Sequence, residues 1–137
     1  MHEWALAESI VMAAVEEAQK EKLKKITQVT VYIGELQQIE KEIFHFALGE
    51  LAKLQKLPIT KDAFQLKTEK SNLTCNTCNH TWKYSDMKKK LEETEAESIH
   101  FIPEVVFVHA RCPQCGSPDF QITKGRGVVL SSIRGVR

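Results

Sequence analysis

Two pairs of cysteines constrain the fold of this chain more than any other feature. Cys75 and Cys78 form one C-x-x-C pair and Cys112 and Cys115 form another, and Gly116 suits the tight turn that follows the second pair. Two thiolates separated by two residues can bind one ion while nearby backbone N–H groups point at the sulfurs. Four thiolates in two such pairs predict a closed tetrahedral site, which favours structural zinc and leaves no open position for catalysis.

Two alternatives use the same residues. A redox-active C-x-x-C pair would fit a thioredoxin-like protein, but the chain has two pairs and no matching βαβ pattern. An iron–sulfur cluster also uses four thiolates and stays open as an alternative. The spacer between the pairs, residues 79–111, has 33 residues, whereas common zinc modules have roughly 15–20. An additional segment is therefore inserted there, and it contains His100.

Periodicity predicts two helices and three strands outside the cysteine region. Apolar residues recur at helical spacing over 4–20 and 40–54, and they alternate over 27–33 and 63–69. A short β-branched segment at 127–133 predicts a third strand that returns to the first two. The expected buried stripes consist of Trp4, Ala7, Val11, Val15 and Ala18 in the first helix and Ile43, Ala47, Leu51 and Leu54 in the second.

These elements predict an α+β fold in which two helices lie on a small mixed sheet, with an inserted four-cysteine zinc-binding lobe. Residues 1–70 plus 120–137 would form the α+β domain, and residues 71–119 would form the zinc-binding domain. Within the lobe, residues 86–98 are highly charged and residues 101–108 predict an apolar extended segment. Large aliphatic residues are few in this lobe, so we expect it to need a metal in order to fold.

Composition excludes several classes of function. The formal net charge is +1, so bulk electrostatics indicate neither a nucleic-acid nor a membrane partner. Glu3 and Glu8 interrupt any apolar core of a signal peptide, and no apolar run approaches the roughly 18 residues of a membrane span. We therefore expect a cytoplasmic protein. The chain contains neither a G-x-x-x-x-G-K-[ST] phosphate loop nor a credible nucleophile–base pair, which predicts that it is not an enzyme.

The chain end offers a second set of metal ligands. The amine of Met1, the backbone amide of His2 and the His2 imidazole can chelate one ion and fill three corners of a square. Square-planar nitrogen coordination suits Ni(II) or Cu(II) rather than zinc. The amide of Glu3, or a second imidazole, would complete the square. The alternative is a histidine that happens to be second and binds nothing.

Several segments together resemble the HypA family of hydrogenase nickel-insertion proteins. They are the N-terminal MHEWALAESI, the VYIGELQQI segment, the two C-x-x-C pairs and the closing GRGVVLSSI. The resemblance covers essentially the whole chain, and it implies a metallochaperone with transiently bound Ni(II) and structural Zn(II). It implies that His2 is the principal nickel ligand, that Met1 and Glu3 lend backbone nitrogens, and that the four cysteines hold zinc.

The resemblance also implies partners and a further ligand. Members of the family work with the HypB GTPase and deliver nickel to the large subunit of [NiFe] hydrogenase. The long spacer with IHFIPEVV is similar to that of archaeal-type members, in which the histidine opening this segment is an additional nickel ligand; here that residue is His100. The rival interpretation is a zinc-ribbon regulatory module that binds nucleic acid or protein, although the chain lacks a basic face with interleaved aromatic residues.

Overall fold

The structure is a computed structural model that describes residues 3–37, 39–88 and 106–137. The chain forms two compact units. The first unit comprises residues 1–32, 39–67 and 128–137, and the second comprises residues 33–38 and 68–127. In the described part of the chain, no helix is long and apolar enough to cross a membrane.

The first unit contains the two predicted helices and a three-stranded sheet. Its elements are α1 (Glu3–Lys20), β1 (Lys25–Gly34), α2 (Lys41–Lys53), β2 (Phe64–Glu69) and β6 (Val128–Val136). The strand order is β2-β1-β6, and α1 packs against both α2 and β6. The C-terminal strand therefore returns to the first two strands, as the sequence predicts.

Backbone hydrogen bonds show that this sheet is mixed. Val29 N–H donates to the carbonyl of Ala63 and Glu35 N–H donates to that of Glu69, so β2 runs parallel to β1. At the other edge of β1, Lys24 N–H donates to the carbonyl of Val136, at the end of β6. Gly34 N–H donates to that of Gly127, just before β6, so β6 is antiparallel to β1. The α+β fold class is confirmed.

The apolar stripes of the two helices differ in phase from the prediction. In α1, Glu3 is 7% exposed, whereas Trp4 is 48% exposed and makes an edge-on contact with Phe46. In α2, Phe44 and Leu48 are fully buried, whereas Ile43 and Leu54, which were expected to be buried, are 45% and 77% exposed. Ala7, Val11 and Ala18 in α1, and Ala47 in α2, are buried as predicted. Apolar residues cover more than half of the circumference of α2, so periodicity could not select the face that the sheet covers.

The second unit is built on an antiparallel sheet of three short strands. Its strands are β3 (Asn72–Cys75), β4 (Thr81–Lys83) and β5 (Phe120–Lys124), in the order β4-β3-β5. Two short helices, α3 (Tyr84–Lys88) and α4 (Val106–His109), belong to the same unit. The expectation of an extended segment over 101–108 is wrong for residues 106–108, which are helical; residues 101–105 lie outside the described part.

One face of this sheet carries a hydrophobic cluster that the sequence analysis did not anticipate. Its buried members besides two of the cysteines are Leu36, Leu73, Trp82, Tyr84, Val106, Ala110 and Phe120. The cluster contains three aromatic residues and draws members from both sides of the cysteine pairs. By their contacts, residues 33–38 and 120–127 belong to the second unit. The predicted division at residues 71–119 into nickel-binding and zinc-binding domains stays a prediction about function.

Candidate metal centre

The first cysteine pair lies in a tight turn between β3 and β4. Cys75 N–H donates to the carbonyl of His80, at 2.8 Å, and Asn79 N–H donates back to the carbonyl of Cys75, at 3.0 Å. Asn79 takes the left-handed conformation, with φ of 64°, which turns the chain directly after Cys78. The N–H groups of Thr77 and Cys78 then point at the Cys75 sulfur, at 3.3 and 3.4 Å.

The second cysteine pair repeats this turn. Cys112 N–H donates to the carbonyl of Ser117, at 2.9 Å, and Gly116 N–H donates to the carbonyl of Cys112, at 2.8 Å. Gly116 has φ of 75°, so it is left-handed at the position that corresponds to Asn79. The two turns therefore present their sulfurs in the same way, which is the arrangement that the C-x-x-C spacing predicts.

The two turns bring the four sulfurs together. All four Sγ atoms lie within 4.8 Å of one another, and they pair across the turns: Cys75 with Cys115 at 3.5 Å and Cys78 with Cys112 at 3.6 Å. Four sulfurs about 2.3 Å from a zinc ion would be about 3.8 Å apart in a regular tetrahedron. The sulfur positions therefore fit a four-thiolate zinc centre, and no disulfide joins these cysteines.

The electrostatics of the cluster also favour a bound cation. Burial acts to raise the pKa of Cys75, but the N–H groups of Cys78 and Thr77 outweigh it and lower that pKa to about 6. The backbone N–H of His80 acts to lower the pKa of Cys78, but burial and the neighbouring thiols outweigh it and raise that pKa to about 12. Four adjacent thiols cannot all ionise alone, whereas a bound divalent ion deprotonates coordinating thiols outright. A bound zinc ion would join the two turns and hold them closed.

Other residues that the sequence analysis did not identify brace the turns against each other. Asn76 N–H donates to the carbonyl of Asp119 at 2.9 Å, and the Asn76 side chain donates to the Asp119 carboxylate at 3.0 Å. The hydroxyls of Thr77 and Ser117 lie 3.0 Å apart, one from each turn. Their only sequence signal was their position beside the cysteines. The ring of His80, the residue after Asn79, stacks on that of Trp82.

The nickel ligands expected from the chain end fall mostly outside the described residues. Met1, His2 and His100 belong to the part of the chain that the structure does not describe. Glu3 is the first residue of α1, and it is buried. The residue that follows His2 is therefore packed into the first unit. The nickel site itself stays a prediction.

The fold and the cysteine cluster define a class of protein: a small α+β protein with an inserted lobe organised around a four-cysteine metal centre. A family model described as hydrogenase/urease nickel incorporation, metallochaperone, HypA matches residues 1–135. The chain therefore belongs to the HypA family of nickel-incorporation metallochaperones, for which nickel is the cargo.

Individual relatives agree with this assignment. The chain is 43% identical to hydrogenase maturation factor HypA of Pyrococcus horikoshii over 134 residues, which cover 98% of this chain and 95% of the relative. It is 25% identical to hydrogenase maturation factor HypA of Methanopyrus kandleri, over 98% of this chain and 92% of the relative. The solution structure of the Ni metallochaperone HypA from Helicobacter pylori has the same fold, with a TM-score of 0.66 at 23% identity, covering 99% and 98% of the two chains. These matches do not favour the rival zinc-ribbon interpretation.

Proposed function

We propose that this chain binds Ni(II) at its N-terminus and delivers it to the large subunit precursor of a [NiFe] hydrogenase, together with a HypB-type GTPase in the cytoplasm. The match of the HypA family model to residues 1–135 carries this proposal. The four-cysteine site supports the use of separate ligands for two different metals. The four cysteines fit a saturated structural zinc centre, so a transiently bound cargo ion needs other ligands.

The N-terminal residues would supply these ligands. The Met1 amine, the amide and imidazole of His2, and the amide of Glu3 form a set of nitrogens that suits square-planar Ni(II). The site requires a free Met1 amine, which an intact-mass measurement determines. Because Glu3 begins a packed helix, its amide nitrogen would be held in place before the ion binds, which reduces the entropy cost of binding.

His100 is proposed as a further nitrogen ligand, on the strength of the resemblance of the IHFIPEVV segment. If His100 binds nickel, His100→Ala should weaken nickel binding and shift the nickel absorption spectrum, because another donor replaces an imidazole. His100→Ala should still bind nickel more tightly than His2→Ala. Unchanged affinity and spectrum in His100→Ala would confine the site to residues 1–3.

A transfer assay tests the delivery function. Nickel-loaded chain, the GTPase partner and nickel-free large subunit precursor are mixed, and nickel in the re-isolated large subunit is measured by mass spectrometry. We expect GTP-dependent transfer from the wild-type chain and little transfer from His2→Ala. Equal transfer from both proteins would contradict the proposed donor site, and no transfer from either would contradict the delivery function.

A further inference from the structure

Five exposed lysines lie at one end of the sheet of the first unit. They belong to two segments, the turn that enters β1 and the loop that enters β2. We call them the lysine surface; its members are Lys22, Lys24, Lys25, Lys56 and Lys61. Together with Asp62, they give residues 22–25 and 56–62 a formal charge of +4, against +1 for the whole chain.

Backbone pairing holds these two segments side by side. Ile26 N–H donates to the carbonyl of Pro58 and Thr60 N–H donates to the carbonyl of Ile26, both at 2.9 Å. Ile26 and Ile59 form a parallel bridge. Lys24 and Lys25 directly precede this bridge on one segment, and Lys56 and Lys61 lie within three residues of Ile59 on the other. The two lysine-bearing segments are therefore adjacent.

Three acidic side chains near these segments are paired with other bases. Glu16 pairs with Lys20 at 3.8 Å, and Glu50 pairs with Lys53 at 3.4 Å. Glu21 pairs with Arg137 at 3.3 Å. Within residues 3–37, 39–88 and 106–137, no ion pair is formed by any member of the lysine surface. Close ammonium groups repel one another, and an acidic partner would relieve that repulsion.

An exposed leucine adjoins the lysine surface. Leu54 follows the last residue of α2, is 77% exposed, and lies two residues before Lys56. An apolar side chain beside lysines that form no ion pair in the described part of the chain matches a protein interface, in which apolar contacts are surrounded by a polar rim. Residues 20–25 and 53–61 contain no aromatic side chain, so they lack the stacking groups by which proteins hold single-stranded nucleic acid.

We propose that the lysine surface is a docking site for an acidic face of a protein partner, with Leu54 as its apolar contact. Helix α1 has 18 residues and spans about 27 Å at 1.5 Å per residue. It begins at Glu3 and ends two residues before Lys22, so a partner on the lysine surface would lie at the opposite end of α1 from Glu3. The proposal does not depend on the nickel ligands.

Binding of a fluorescent glutamate-rich peptide with a central leucine tests the proposal, and zinc content and circular dichroism monitor the fold. The test variant combines Lys24→Glu, Lys25→Glu and Lys56→Glu. The matched control combines Lys70→Glu, Lys83→Glu and Lys124→Glu, which makes the same charge change at exposed lysines of the second unit. We expect peptide affinity to fall about tenfold or more in the test variant, as losing several close charge contacts implies, and to change little in the control.

Further binding measurements distinguish an acidic protein partner from nucleic acid and anionic lipid. Leu54→Ser should weaken peptide binding and leave its salt dependence unchanged. The Lys→Gln version of the test variant removes the same three charges without reversing them, which avoids any disturbance of the fold by reversed charges. It should also lose affinity for the peptide. Equal losses in test and control variants, or no measurable peptide binding by the wild type, would overturn the proposal. Tighter binding to oligothymidylate or to phosphatidylserine vesicles than to the peptide would overturn it in favour of nucleic acid or lipid.

Discussion

At the residue scale, the metal centre depends on two positions with left-handed backbone. Asn79 and Gly116 directly follow the second cysteine of each turn, with φ of 64° and 75°. Glycine adopts this conformation without steric cost and asparagine does so with little, whereas other residues pay roughly 1–2 kcal/mol. The sequence analysis identified Gly116 as a turn residue. Asn79 was missed because asparagine is also common in loops where no left-handed residue is needed.

This difference predicts the effects of two substitutions at one position. Asn79→Ala should lower the free energy of unfolding of the zinc-loaded protein by about 1 kcal/mol, because alanine is strained at positive φ. Asn79→Gly should leave it unchanged or raise it slightly. Urea unfolding with excess zinc measures both. Equal unfolding free energies for Asn79→Ala and Asn79→Gly would contradict the left-handed conformation of Asn79.

A second residue-scale prediction concerns two glycines in different surroundings. A Cβ atom at Gly34 would overlap the backbone carbonyl of Gly125, whereas a Cβ at Gly49 would meet nothing within 4 Å. Gly34→Ala should therefore destabilise the protein by about 2 kcal/mol or more, since backbone must shift. Gly49→Ala should stabilise α2 by about 0.5–1 kcal/mol.

Thermal unfolding of the two alanine variants compares them under identical conditions. Gly49→Ala is the matched control, because it makes the same chemical change without a steric clash. A melting temperature for Gly34→Ala equal to that of the wild type would contradict the close approach of Gly34 to Gly125.

At the scale of elements, the sequence predicted both long helices and all three strands of the first sheet. It predicted part of each buried helix face, including Ala7, Val11, Ala18 and Ala47, but not its centre. Each helix has apolar residues on more than one face, and periodicity cannot report what lies opposite. The hydrophobic cluster of the second unit was missed for a different reason. Leu36, Tyr84 and Val106 are far apart in sequence and meet only through tertiary contacts.

The phase of α2 gives a prediction that compares adjacent residues. Phe44 is fully buried, so Phe44→Ala should cost about 3–5 kcal/mol of unfolding free energy. Ile43 is 45% exposed, so Ile43→Ala should cost about 1 kcal/mol or less. Urea unfolding of the two variants gives the comparison. A larger loss of unfolding free energy for Ile43→Ala than for Phe44→Ala would contradict the observed burial and support the apolar stripe that the sequence predicted.

At the scale of the whole molecule, the zinc centre should determine the order of the second unit. A four-cysteine zinc site contributes its binding energy directly to folding. The protein should contain about one zinc per chain. Cys78→Ser and Cys112→Ser should lose zinc together with the ordered environment of Trp82, which packs against Phe120.

Fluorescence follows this change if Trp4 is first replaced by phenylalanine, since Trp4 and Trp82 are the only two tryptophans. Addition of a zinc chelator should shift the Trp82 emission to longer wavelength as water reaches the indole. Ser85→Ala, a substitution outside the cysteine turns, is the control and should retain zinc. A zinc-free protein with unchanged emission and full resistance to proteolysis would show that the lobe folds without metal.

The two metal sites differ in how far the sequence could determine them. The four cysteines predicted to bind zinc come together in the structure, because two C-x-x-C pairs encode their own turn geometry. The nickel ligands proposed at the chain end have no such local spacing pattern, since they would combine a terminal amine, backbone amides and a single imidazole. The proposed role of Met1, His2, Glu3 and His100 therefore needs a measurement of nickel itself.

Nickel titration of untagged, zinc-loaded protein provides that measurement, with the wild type, His2→Ala and a variant with one extra glycine ahead of Met1. The wild type should bind one nickel ion tightly, with affinity that falls below about pH 6.5 as the imidazole becomes protonated. Both altered proteins should lose tight nickel binding and keep their zinc. Wild-type nickel affinity in both would contradict the N-terminal site.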